Sequence, residues 1–344
     1  MTEWRWIEIF ARHLRQCALS HGEVVAVLSE SASRPELVET ARLAAQMLGG
    51  RVYDVVVPTP ANRGPVALRS TGSSVALAGN PGAIAGLAAA GLVIDCTVEG
   101  LLHAPELGAI LQGGARVLMI SNEHPENFER YAEDPSLDER VERGVALLEA
   151  AGVMHVTSAA GTDLTAKLDG AFRAGSSGVA TEPGTIAHWP GGLCLAFPAA
   201  HCVEGTVVLA PGDINLTFKT YVREPVTLRI EDDHVVAIEG DGLDADLFRS
   251  YLAAFGDRES YAVSHVGFGM NRNARWDYLE LYDKVQINGT EARAFAGNFL
   301  FSTGANENAG RYTAGHFDLP MRGCTVALDG RVVVDAGALQ GDLA

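Results

Sequence analysis

Residues 23–28 (EVVAVL), 35–48 (PELVETARLAAQML) and 51–57 (RVYDVVV) together decide the fold. A β-branched run, a proline-opened stretch with apolar residues at helical spacing, and a second β-branched run read as strand, helix, strand. The alternation continues outward. Residues 81–90 read as a helix, 92–97 (LVIDCT) as a strand, 105–111 as a helix and 116–121 as a strand. Continuous apolar strands separated by helices predict a parallel sheet covered on both faces. Functional loops on such a sheet gather at the carboxyl ends of its strands. His103 falls in one of these loops, just after the strand ending near Thr97.

Further along, the texture changes. Residues 137–151 make an amphipathic helix with Val141, Val145, Leu148 and Ala151 on one face. From about Val153 strands dominate, at 206–209, 226–230 and 235–239, with a helix at 245–255. Asp232-Asp233 and Asp329-Gly330 read as hairpin turns, the latter a strong type I′ signal. The expected architecture is an α/β domain over 1–155 with a mostly parallel sheet, followed by an α+β domain over 156–344. That second domain is rich in antiparallel strands and is expected to carry the metal site.

Composition narrows the functional classes. A chain of 344 residues exceeds the usual single-core size, and 47% hydrophobic with 20% charged residues suits a folded enzyme. The net charge of −17 argues against nucleic acid or an anionic membrane as partner, since either needs a positive face. Cys17, Cys96, Cys194, Cys202 and Cys324 are scattered without a CxxC pair, so reduced, mostly buried thiols are expected. The N-terminus lacks the apolar core of a signal peptide. The longest apolar run, 82–94, falls short of the ~20 residues that span a bilayer. A soluble, cytoplasmic protein is expected.

Ten histidines offer candidate chemistry. His13, His21 and His234 stand among charged residues and read as solvated, His124 as a surface loop residue, and His155 as a hydrogen-bonded core residue. The informative segment is GHFDLP at 315–320. In an extended strand side chains alternate between faces, so His316 and Asp318 point together and Phe317 points away. A third ligand must come from elsewhere, and His265 in SHVGFG is the best candidate, leaving an apolar strand beside glycines that allow close backbone approach. Two histidines and a carboxylate suit a non-haem Fe(II) oxygenase, with open positions for substrate and dioxygen. They suit hydrolytic zinc equally. Ligand type alone does not separate the two.

The chain resembles the 2,5-dihydroxypyridine 5,6-dioxygenase family of bacterial nicotinate and nicotine breakdown, itself similar to thermophilic metallo-aminopeptidases. The resemblance runs through VYDVVVP at 52–58, LLHAPE at 101–106, EPGTIAHWPGG at 182–192 and VEGTVVLAPGDI at 203–214. It continues in SHVGFGMNRNARW at 264–276, ARAFAGNFLFSTG at 292–304 and HFDLPMRGC at 316–324. It implies Fe(II) held by His265, His316 and Asp318, with O2 as co-substrate. Supporting catalytic roles are implied for His103, Glu182 and His188, and a substrate-binding wall at Arg293 and Ser302. An extradiol-type ring opening of 2,5-dihydroxypyridine to N-formylmaleamate is then expected, by a chain that forms a homo-oligomer. Several family chains run further at the C-terminus, so an aromatic lid from such a tail is expected to be missing.

Opening such a ring needs a base for the ring hydroxyl, and an imidazole titrating near ~6.5 suits neutral pH. His103 and His188 are the candidates. Glu182 is expected to fix the tautomer of His188, and Arg293 to hold an anionic substrate oxygen. The alternative is a metallo-aminopeptidase-like hydrolase with a second metal, for which His201 and Glu204 are the conceivable extra ligands.

Overall fold

The computed structural model describes residues 1–61, 74–131, 134 and 136–344. The β-branched runs do form a parallel sheet. Val24–Glu30 lies between Arg51–Val57 and Leu92–Asp95, and Arg116–Met119 follows outward. The inner strands are buried along almost their whole length, which is why they lack polar alternation. Arg51–Val57, at the edge, does alternate in exposure.

The fifth strand of this sheet comes from beyond residue 155. Ile186–His188 pairs in parallel with Arg116–Met119, setting His188 opposite Met119. The expected boundary at 155 is crossed a second time by the helix Leu137–Ala150. Its Gly144 lies against Cys194 and Met270, and its Val141 and Val145 lie against Gly175, all in the later part of the chain.

Apart from a two-stranded pair, Ile214–Asn215 with Thr220–Tyr221, the remaining strands form two antiparallel sheets. One has eight strands, running from His234–Glu239 to Ala338–Leu339, and contains both hairpins read from the sequence. Asp232, Asp233, Asp329 and Gly330 all take positive φ, as type I′ turns require. The other has five strands in the order Arg311–Met321, Phe299–Asn306, Val263–Gly269, Leu193–Phe197, Phe172–Ser176. One apolar core joins the two sheets, drawing Val156, Val207 and Leu228 from the first and Phe268, Phe299, Phe301 and Phe317 from the second.

Close strand approach on the five-stranded sheet depends on glycine. A Cβ on Gly267 would collide with the Cys194 carbonyl, and one on Gly304 with the Gly315 carbonyl beside His316. Among the described residues, no helix is long and apolar enough to cross a membrane. Cys17, Cys96, Cys194 and Cys324 are buried free thiols and Cys202 is half-buried.

Several histidines differ from the sequence reading. His155 is exposed and bonds to Asp163, because its face of the strand looks outward. His234 is buried, its Nδ1 against the Asp232 carbonyl at the hairpin. His13 is half-buried, with Nε2 against the Gly178 carbonyl.

Phe317 is the structural complement of the ligand pair. It projects to the opposite face from its neighbours and packs against Phe248 and Tyr251, with ring centroids 4.7 and 5.1 Å away. Phe317→Ala is expected to cost about 3–5 kcal/mol of unfolding free energy in urea denaturation. A loss below ~1 kcal/mol would show that this packing does not anchor the strand.

Candidate active site

His316 and Asp318 emerge from Arg311–Met321, paired across the strand register with Gly304 and Ser302 respectively. His265 lies two strands over, on Val263–Gly269. The sheet brings all three to one face. His265 Nε2 and His316 Nε2 each lie 3.4 Å from Asp318 Oδ1, and one donor atom from each residue falls within 4.8 Å of the others. All three side chains are buried.

The chemistry of this donor set can be tested on Asp318. Its Oδ2 accepts from Arg293 Nε at 2.5 Å, whereas its Oδ1 is buried without a hydrogen-bond partner. A buried unsatisfied carboxylate oxygen is costly. Two imidazole nitrogens flanking it, at a spacing too long for good hydrogen bonds, form the arrangement of donors that share one cation. The residues fit a metal ion.

Electrostatics reinforce that fit. Burial pushes the Asp318 carboxyl upward, but the Arg293 guanidinium and His316 outweigh it and hold it well below the usual carboxylate range. Burial pushes the His316 imidazolium down to about 4 and lowers that of His265 as well. The site is therefore an ionised carboxylate between neutral imidazoles, the protonation state that metal ligation needs.

Beside the triad opens a cavity of about 770 Å³. Its floor is the five-stranded sheet, through Leu193, Leu195, Phe197 and Leu300. Its other wall comes from the carboxyl end of the parallel sheet and the loop after it, through Leu102, His103, Met119 and Ser121. His103 stacks obliquely on His316, with ring centroids 4.7 Å apart, and its Nδ1 lies 3.8 Å from Glu307 Oε1. This contact lowers the titration of Glu307. His188 reaches the same cavity from its three-residue strand, with Nε2 3.5 Å from Thr290 Oγ1. Burial, followed by the charge of Arg293, pushes its imidazolium down to about 3.

Not every expected residue is part of this arrangement. Glu182 is exposed and outside the cavity lining, because the chain turns between it and the strand, with Thr185 Oγ1 donating to the Glu182 carbonyl. It does not orient His188. Ser302 is fully buried behind the triad rather than in the cavity wall, its Oγ 3.5 Å from His316 Nδ1. His316 therefore has Asp318 on its Nε2 side and the Ser302 hydroxyl on its Nδ1 side. Arg293 does line the cavity. His201 is exposed and pairs with Asp232, and Glu204 is exposed, so neither supplies a second metal site. Among the described residues, the one cluster suited to a metal is His265, His316 and Asp318.

Sequence reasoning missed Glu307, in the short turn between the two strands that carry Ser302 and His316. It also missed a buried network that sets the helix Thr290–Ala294. Arg130 forks onto Glu291 at 3.0 and 2.6 Å, and Glu123 Oε1 accepts from the amides of Gly289 and Thr290. That network fixes the helix from which Arg293 reaches Asp318.

Comparisons with known proteins supply the family. The family model for 2,5-dihydroxypyridine 5,6-dioxygenase matches residues 5–341. The chain is 39% identical over 336 residues to 2,5-dihydroxypyridine 5,6-dioxygenase of Pseudomonas putida strain KT2440, covering 96% of this chain and 94% of that one. A solved structure of the dioxygenase from the same organism superposes with TM-score 0.91 at 38% identity, covering 98% of each chain. Wild-type AmpT from Thermus thermophilus shares the fold, with TM-score 0.62 at 15% identity over 98% of this chain and 99% of that one. Fold and relatives together define an enzyme of the dioxygenase class. The chain belongs to the 2,5-dihydroxypyridine 5,6-dioxygenase family.

The low titration of His188 carries a stability consequence. An unfolded histidine titrates near ~6.5, whereas the folded one does so at about 3. Between those values the unfolded chain binds the extra proton, so stability present above pH 6.5 is lost as pH falls toward 3. In chelator-treated protein, His188→Gln should shrink the drop in urea midpoint between pH 7 and pH 5. An unchanged drop would contradict the buried neutral imidazole.

Proposed function

We propose that this chain opens 2,5-dihydroxypyridine between C5 and C6, using Fe(II) held by His265, His316 and Asp318. Both atoms of O2 enter the product. C5 becomes a carboxylate and C6 becomes the formyl group left on nitrogen, giving N-formylmaleamate. The observation that carries the reading is the unpartnered Asp318 Oδ1 between two imidazole Nε2 atoms. Bound there, a ferrous ion would supply the redox chemistry that ring opening with O2 needs.

The chain's own residues hold the ring and move its proton. Arg293 brings positive charge to the cavity beside Asp318, where it faces an anionic ring oxygen. His103 has a buried, unpartnered Nε2, while Glu307 lies across from its Nδ1. This geometry suits a base that takes the ring hydroxyl proton at Nε2 while the carboxylate balances the imidazolium. His188, held neutral by burial, is a weak base and instead offers its buried Nδ1 as a hydrogen-bond acceptor for the substrate. Apolar side chains, among them Leu193, Leu195, Phe197 and Leu300, form the floor under the reacting ring. Ser302 orients His316 through Nδ1.

Anaerobic loading with Fe(II), followed by an oxygen-electrode assay on 2,5-dihydroxypyridine, should show one O2 consumed per ring opened. His316→Ala should abolish uptake, and retained uptake would remove that residue from the metal site. Ser302→Ala should weaken Fe(II) binding by about 10–100-fold in an anaerobic titration while leaving the circular dichroism spectrum unchanged. Unaltered metal affinity would contradict its orienting role.

A further inference from the structure

The cavity exceeds what its ring requires. At about 770 Å³ it falls in the range that buries a drug-sized ligand, whereas 2,5-dihydroxypyridine is one six-membered ring with two hydroxyl groups. The surplus space is apolar. Leu107, Leu111 and Ile186 line it. Leu107 belongs to the apolar core on one face of the parallel sheet, and Leu111 and Ile186 pack against that core. Leu111 and Ile186 still keep part of their surface uncovered.

The polarity is graded along one strand. Ile186 and His188 are two residues apart and share a face, so roughly 6–7 Å separates their side chains. His188 sits at the charged end, where Arg293 and Asp318 act on it. Ile186 sits over the apolar core. On its far side Gly184 lies against the Leu111 backbone. Leu107 and Leu111, one helical turn apart, present a single apolar face to this space.

We propose that this lobe holds an alkyl group on the substrate ring, so that the chain acts on 2,5-dihydroxypyridines substituted at C3. C3 is the ring carbon opposite C6. With the C5–C6 bond at the triad, a group on C3 points away from the metal and toward Leu107, Leu111 and Ile186. The assignment rests on the proposed ring-opening reaction for its orientation and on the cavity lining for its chemistry.

The test is calorimetric binding of a homologous series to the Fe(II)-loaded protein under argon: the unsubstituted ring and its 3-methyl, 3-ethyl and 3-propyl derivatives. Each buried methylene should tighten binding about fourfold. Leu111→Trp, which fills the lobe, should bring the propyl-to-unsubstituted affinity ratio close to one, and Ile186→Ala should reduce the gain per methylene. A flat or falling series in the wild-type protein overturns the assignment. Oxygen uptake with the unsubstituted ring reads the reaction separately. Turnover without a chain-length gain sinks the lobe alone, and a gain without turnover sinks the reaction alone.

Discussion

A single buried carboxylate organises this molecule. Asp318 carries a negative charge out of water, and Arg293 satisfies only one of its two oxygens. Burying such a group would ordinarily drive it to the neutral form. Here the guanidinium and the neighbouring imidazoles keep it ionised, and its free oxygen faces two nitrogen donors. The unmet acceptor is local and directional. A cation shared by these donors would satisfy that oxygen, and they form the one such cluster among the described residues.

The scaffold holds that charge in position from both sides. The five-stranded sheet sets His265, Ser302, His316 and Asp318 on one face, with glycines at 267 and 304 letting the strands close up. Phe317 locks the opposite face into the core. From the other direction, the parallel sheet delivers His103 and His188 at the carboxyl ends of its strands. Glu123, Arg130 and Glu291 fix the short helix whose Arg293 completes the pair. Contacts from distant parts of the chain therefore converge on one carboxylate.

Much of this was legible in the residues themselves, for physical reasons. The pairing of His316 with Asp318 followed from the two-residue period of a strand, and the parallel sheet from continuous apolar runs. Ile186–His188 was not legible as a strand of that sheet, because three residues carry no periodicity and its partner lies far back in the chain. The resemblance implied a role for Glu182 beside His188, but a turn bonded through Thr185 leaves its side chain in solvent. Ser302 shares a strand face with the ligands, yet only the packed sheet shows that it lies behind His316 rather than against the substrate. Glu307 gave no signal, since its contact with His103 spans two separate parts of the fold.

The most direct test is an anomalous-difference map at the iron edge from crystals of the Fe(II)-loaded protein. The account predicts a single peak enclosed by His265 Nε2, His316 Nε2 and Asp318 Oδ1. A peak elsewhere, or a second peak beside the first, would contradict it.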